Sequence, residues 1–143
     1  MTEPQVAART DVADRRDVEA LLRRFYGRVL VDGLLADPFT EIREVTGLDA
    51  HIPVMADFWE TGLFRAGLYQ GSALTVHRQV HRQHPLSAPH FVRWLTTWRA
   101  TVDEMFRGPI AEQAKIQAGR IAWAMHRRLN GCDAPELDML VGR

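Results

Sequence analysis

Residues 51–77, HIPVMADFWETGLFRAGLYQGSALTVH, decide the fold expected for this chain. The first part predicts a helix, and spacings of four, three and four put four residues on one of its faces: His51, Met55, Phe58 and Gly62. A glycine-punctuated bend follows, and then a second short helix over about residues 73–83 that carries His77. Two histidines on separate helices, with apolar and aromatic residues between them, are typical of a pocket for a hydrophobic ligand.

The rest of the chain also repeats its apolar residues at helical intervals, and no stretch shows sustained alternation with a period of two. The expected fold is therefore all-α, with about five helices over residues 14–130. Asp14 is predicted to cap the first helix, and Ser87 a later one. Residues 1–13 are expected to be a loose polar tail, and residues 131–143 a frayed or short C-terminal tail.

Composition excludes several classes of function. With 46% apolar and 25% charged residues, the chain is expected to make one globular domain. The 18 basic residues balance the 18 acidic ones, so a basic face for nucleic acid is not indicated. No signal-peptide core and no long apolar run is apparent, so neither a leader nor a membrane partner is predicted. The single cysteine, Cys132, favours a reducing compartment, and we expect the cytoplasm.

The histidines point to a flat hydrophobic cofactor whose metal needs an axial nitrogen, which is haem. His77 is favoured among the six histidines because it follows a glycine bend and the apolar run ALTV. His126 lies in an arginine-rich helix end and is expected to be solvated, while His84 and His90 flank a turn and are expected to be exposed. The alternative for His77 is an ordinary histidine whose ring is hydrogen-bonded within the protein or exposed to solvent.

Other side chains could offer hydrogen bonds to oxygens bound on the iron. Tyr26 and His51 supply O–H and N–H groups, and Trp94 supplies an indole N–H. The alternatives are a surface tyrosine for Tyr26 and a core aromatic for Trp94. Four further residues are read either as pocket walls or as ordinary core: Phe39, Met55, Phe58 and Trp59.

Zinc is a weaker interpretation of the same histidines. His77 and His81 have the i, i+4 spacing that can chelate zinc, but residues 77–90 contain no Asp or Glu to complete the site. No phosphate-binding glycine loop and no local signature of a nucleophilic triad is present.

Six segments, in this order and spacing, resemble those of one family, the truncated haemoglobins of the third (P-type) group. They are FYGRV at 25–29, DGLLADPF ending at Phe39, HIPVMADFW at 51–59, GLYQGSALTVH at 67–77, HPLSAPHFVRWLTTWRATVDEMF at 84–106 and AEQAKIQAGRIA at 111–122. The resemblance covers about residues 14–129.

The resemblance implies a two-on-two helical sandwich around haem b, with His77 as the proximal iron ligand. Tyr26 resembles the distal tyrosine, Trp94 the tryptophan whose N–H points into the distal pocket, and His51 the distal histidine, which can instead act as a gate. The implied haem contacts are Phe39, His51, Met55, Phe58, Trp59, Leu74, His77 and Trp94. Pro38, where a β-branched residue is usual, and a short loop before His51 depart from the family pattern.

The function expected from this resemblance is binding of O2, NO or peroxide on five-coordinate ferrous haem. A pocket with several donors would retain O2 too long for delivery, so nitric oxide dioxygenation or peroxide activation is expected, with re-reduction by a separate reductase. Two alternatives stay open: six-coordinate iron with His51 as the sixth ligand, and a helical sensor or interaction module that holds haem only as structure or holds none.

Overall fold

The computed structural model describes residues 9–64 and 73–141, and these residues form six α-helices and one π-helical turn without any strand. The prediction of an all-α fold is confirmed. The helices are α1 (Arg15–Val29), α2 (Leu48–Phe64), α3 (Ala73–Gln83), α4 (Ala88–Met105), α5 (Pro109–Asn130) and α6 (Pro135–Val141), and the π-helical turn is Ile42–Thr46. The bend predicted at residues 67–71 lies outside the described residues.

The core forms between two helix pairs. Helix α1 packs against α2 and against α4, and α4 packs against α5, which gives the predicted two-on-two sandwich. Fully buried side chains from three of these helices meet in the centre: Leu22 and Phe25 of α1, Ile52 of α2, and Leu95, Trp98 and Val102 of α4. Full burial of one such apolar side chain stabilises the fold by about 1.5–3 kcal/mol.

Both predicted helix caps are found. The carboxylate of Asp14 accepts a hydrogen bond from the backbone N–H of Asp17 (3.1 Å) at the start of α1. Ser87 begins α4, and its backbone N–H donates to Nδ1 of His90 (3.1 Å). His90 is therefore part of a helix cap and is only partly exposed.

The N-terminal segment is docked from residue 9 onward, although it was expected to be loose. Val12 is 2% exposed, and the carbonyl of Thr10 accepts from the backbone N–H of Arg107. The carboxylate of Asp11 accepts from the N–H groups of Ile110 and Ala111 (2.9 and 2.8 Å). These are orphan donors of the first turn of α5. Residues 9–13 thus cap a helix that lies about 100 residues away in sequence.

The C-terminal residues also pack. Leu137 of α6 is fully buried in the hydrophobic core. The guanidinium of Arg99 in α4 also donates a hydrogen bond to the carbonyl of Leu140 (2.7 Å). The turn before α6 covers His126, which is 5% exposed and lies with Nδ1 3.1 Å from the carbonyl oxygen of Cys132. The expectation that His126 is solvated was wrong, because the arginines beside it face outward while His126 shares the buried side of α5.

Candidate functional site

Two cavities lie side by side between the helix pairs and α3. The larger has a volume of about 280 Å3 and the smaller about 50 Å3, and both are lined by Phe39, His77 and Leu86. Together the volumes reach the low end of the roughly 300–1,000 Å3 that is usual for ligand pockets. The larger cavity is also lined by Tyr26, Ile42 and His51, and the smaller by Leu35, His90, Phe91, Trp94, Ile121 and Met125.

Tyr26 reaches the larger cavity from α1. Its ring centroid lies 4.9 Å from that of His51 and 6.0 Å from that of Phe39, in edge-on arrangements. Burial raises the pKa of the Tyr26 phenol well above its usual range, so the hydroxyl stays protonated at neutral pH. Tyr26 lines the larger cavity, and a protonated phenol there can donate a hydrogen bond to a ligand.

His51 reaches the same cavity from the first turns of α2. Its Nε2 is buried, and within residues 9–64 and 73–141 it has no hydrogen-bond partner. Burial and, to a lesser degree, charge on His77 lower the pKa of His51, so the imidazole is neutral at pH 7. A buried polar atom without a partner costs about 1–3 kcal/mol. Such an atom on a cavity wall is a natural contact for a polar ligand or a metal.

His77 lies on α3, is partly buried and lines both cavities. His77 and His51 line the same larger cavity. Three other histidines serve the backbone: His90 in the cap of α4, His126 at Cys132, and His81, whose Nδ1 accepts from the N–H of Leu86 (2.9 Å). Three histidines on separate helices therefore line the cavities: His51 the larger, His90 the smaller and His77 both.

Zinc gains no support from this arrangement. Within the described parts of the chain, no group of three or more His, Cys, Asp or Glu is placed to hold a metal ion. His81, the expected partner of His77 in a zinc site, uses its Nδ1 to hold the turn before α4. A single imidazole with apolar neighbours suits a metal whose other ligands come from a macrocycle, as in haem.

The predicted aromatic residues divide into two groups. Phe39 and Trp94 line the cavities. Trp59 is buried and stacks on Trp98, and Phe58 packs edge-on against Trp59. Neither cavity, as far as the described residues define them, is lined by Met55, Phe58, Trp59 or Leu74. For these four residues a haem contact stays a prediction.

Several cavity residues were not singled out from sequence. Leu86 is 6% exposed and lines both cavities, yet it appears in the sequence only as one apolar residue between Pro85 and Ser87. Ile121 and Met125 follow each other at i, i+4 on the predicted apolar stripe of α5. That stripe was read as core, and only the packing of α5 beside α3 turns part of it toward a cavity.

The arrangement of helices defines the class of fold, a truncated globin. The solved structure of a group III truncated hemoglobin from Campylobacter jejuni is similar to this chain with a TM-score of 0.73. The two share 20% sequence identity, and the match covers 85% of this chain and 94% of that one. The resemblance noted in the sequence is thereby confirmed for the fold.

Two sequence-based comparisons gave no match: no model of a known protein family and no curated protein matches the chain. None of the helices in the described ranges is both long and apolar enough to cross a membrane.

Proposed function

We propose that this protein is a haem-binding globin that holds haem b in the two adjoining cavities, with His77 as the axial iron ligand. The observation that carries the proposal is that His77 lines the same cavity as His51, whose buried Nε2 lacks a partner among the described residues. The remaining lining is largely apolar and aromatic, as a porphyrin requires. The similar fold of a protein that is by name a hemoglobin supports the same reading.

The apolar and the polar cavity residues have different roles in this proposal. Phe39, Leu86 and Phe91 would pack against the porphyrin and exclude water from it. Haem supplies reversible binding of diatomic ligands and electron exchange with them. The chain itself supplies the axial imidazole and the polar groups that face a bound ligand.

Tyr26 would donate its hydroxyl proton in a hydrogen bond to that ligand, because its raised pKa keeps the phenol protonated. His51 is neutral and can offer either an N–H or a lone pair. A hydrogen bond to a charged acceptor is worth about 1.5–3 kcal/mol, and about 1.4 kcal/mol is tenfold in affinity. One donor would therefore slow ligand loss by roughly ten- to a hundredfold.

Such retention suits chemistry on the bound ligand more than delivery of O2. We therefore propose nitric oxide dioxygenation or peroxide activation as the activity, with O2, NO or peroxide as ligands. Trp94 would add an indole N–H from the smaller cavity. Both reactions need electrons from outside the chain, so a separate reductase is the expected partner.

The test is haem retention after reconstitution of the purified protein. His77→Ala should lose the Soret absorption band, and added imidazole should restore it. His84→Ala is the matched control. His84 directly follows the last residue of α3 and lines a surface groove but neither of the two cavities, so its replacement should leave the band intact. A His77→Ala protein with an unchanged haem content and spectrum would contradict the proposal.

A further inference from the structure

Three of the four tryptophans form a stack that leads from the smaller cavity into the core. Trp94 lines that cavity, and its ring centroid lies 6.4 Å from that of Trp98 with only 5° between the ring planes. Trp98 lies 4.5 Å from Trp59 with 17° between the planes. The fourth, Trp123, lies on α5, outside the stack. Its Nε1 donates to a carboxylate oxygen of Asp138, and the guanidinium of Arg127 lies over its ring.

The middle ring is the best place in this stack for a positive charge. Nε1 of Trp98 donates to the carbonyl of Ala114 (3.1 Å), and this hydrogen bond strengthens when the donor is charged. The parallel face of Trp59 lies within the roughly 6 Å over which a ring attracts a cation. Trp98 is 1% exposed, and burial alone would disfavour charge, but these two interactions offset that cost.

We propose that Trp94, Trp98 and Trp59 form a one-electron relay that draws an oxidising equivalent away from the cavity when peroxide is reduced there. This inference rests on the proposed haem site. Cleavage of the O–O bond of hydrogen peroxide to two waters takes up two electrons and two protons, the protons coming from solvent. Bound haem would supply one of these electrons; Trp94 would supply the other and would in turn take an electron from Trp98.

The product on the protein side is a tryptophan radical cation, centred on Trp98 and shared with Trp59. The indole loses one electron, breaks no bond and keeps its N–H proton, because a neutral backbone carbonyl does not take up a proton at neutral pH. Two phenol molecules in solution would close the cycle: each gives up one electron and one proton, one electron going to the indole radical cation, the other to the oxidised haem, and both protons to solvent. The relay thus moves the oxidising equivalent from Trp94, which lines the cavity, to Trp98, which is buried in the core.

Tyr26 is the competing donor, and its surroundings disfavour it. A phenol must release its proton when it is oxidised, and burial, which raises the pKa of the Tyr26 phenol, disfavours that release. Phe25 lies edge-on to Tyr26, Trp94 and Trp98, with centroid distances of 5.2, 5.9 and 5.0 Å. A phenylalanine ring is not oxidised when peroxide is reduced at haem, so Phe25 does not carry the electron. The tryptophan stack is the route by which an electron reaches the cavity.

The experiment uses the haem-reconstituted protein mixed with hydrogen peroxide and freeze-quenched for electron paramagnetic resonance. Indole-deuterated tryptophan identifies the radical, because deuteration narrows a tryptophan signal and leaves a tyrosine signal unchanged. The variants are Trp98→Phe and Trp94→Phe, with Trp123→Phe as the matched control outside the stack. Circular dichroism and the Soret band establish folding and haem content for each variant before peroxide is added.

The relay predicts a tryptophan signal in the parent and in Trp123→Phe, and its loss in Trp98→Phe. It also predicts faster haem bleaching and more oxidised Tyr26 by peptide mass spectrometry in Trp98→Phe. If Trp98→Phe does not fold, Trp94→Phe must show the same loss, since it removes the entry to the stack from a partly exposed position. A signal that survives in both variants, or one that only Trp123→Phe removes, overturns the relay.

The two proposals fail in different ways. A parent protein without a Soret band would refute the haem site itself. A parent that binds haem and consumes peroxide, yet shows no tryptophan radical, would overturn the relay and leave the proposed function standing.

Discussion

The rings of Tyr26 and His51 lie 4.9 Å apart at an angle of 87°, on two different helices that cross at the larger cavity. Edge-to-face contact at this distance holds both rings in fixed orientations. The phenol is protonated and the imidazole neutral, each because burial shifts its pKa in that direction. The pair therefore presents to the cavity the hydroxyl of Tyr26 as a hydrogen-bond donor and the imidazole of His51, which either donates or accepts.

Removal of the phenol hydroxyl should accelerate loss of O2. We expect Tyr26→Phe to raise the O2 dissociation rate of the ferrous protein by roughly ten- to a hundredfold, because one hydrogen bond to a charged acceptor is lost. Stopped-flow replacement of O2 by carbon monoxide measures the rate. The control is Trp123→Phe, whose ring is remote from both cavities. An unchanged rate in Tyr26→Phe would remove Tyr26 from the ligand-binding role.

The ferrous protein is expected to be five-coordinate without added ligand. His51 is held edge-on by Tyr26, and its Nε2 would then serve a bound ligand instead of the iron. The absorption spectrum should be high-spin in the parent and in His51→Ala alike. A low-spin parent spectrum that His51→Ala converts to high-spin would show that His51 is the sixth ligand, which is the alternative left open by the sequence.

The sequence was sufficient for the five helices α1 to α5. Apolar periodicity and the caps at Asp14 and Ser87 predicted the elements, since both depend on residues close together in the chain. Apolar periodicity placed His51 and His77 on two predicted helices, and both residues line the larger cavity. Patterns of this kind depend only on neighbouring residues, so they predict the helices without knowledge of how the helices pack.

Contacts set by the tilt and position of whole helices could not be predicted in the same way. His51 and Trp59 belong to one helix, but Trp59 lies about 12 Å further along its axis, at 1.5 Å per residue. One end of α2 therefore reaches the cavity while the other stacks on Trp98. The contact of Asp11 with the start of α5 joins residues about 100 positions apart, and no local pattern indicates it.

The contact of Asp11 with α5 should be measurable as stability. Asp11→Ala removes the acceptor for the N–H groups of Ile110 and Ala111, and loss of such a cap costs about 0.5–2 kcal/mol. Urea unfolding of the parent and variant gives the difference. Asp37→Ala, at an exposed loop position, should change stability by less than about 0.5 kcal/mol.

Gly108 provides a second probe of the same contact. Its φ is +150°, and an added Cβ would lie 2.5 Å from Cγ of Asp11. Gly108→Ala should therefore destabilise the protein, and part of that cost should disappear when Asp11 is also replaced by Ala. Strictly additive effects of the two substitutions would contradict the contact.

The cap of α4 should make stability depend on pH through His90. Nδ1 of His90 accepts from the backbone N–H of Ser87, which only the neutral ring can do, and burial lowers the pKa of His90 below its usual value. The unfolded chain then binds the proton more readily, so this contribution is complete above about pH 6.5 and is lost as the pH falls toward the folded-state pKa. The slope for one group cannot exceed about 1.36 kcal/mol per pH unit.

His90→Gln is the matched variant, because a glutamine oxygen three residues after Ser87 can accept the same hydrogen bond but does not titrate. Urea unfolding between about pH 5.5 and 7.5 avoids the range in which carboxylates titrate. His51 has a lowered pKa as well and remains in both proteins, so its contribution cancels in the comparison. The parent should lose more stability than His90→Gln as the pH falls, and equal slopes would show that the cap does not depend on the charge of His90.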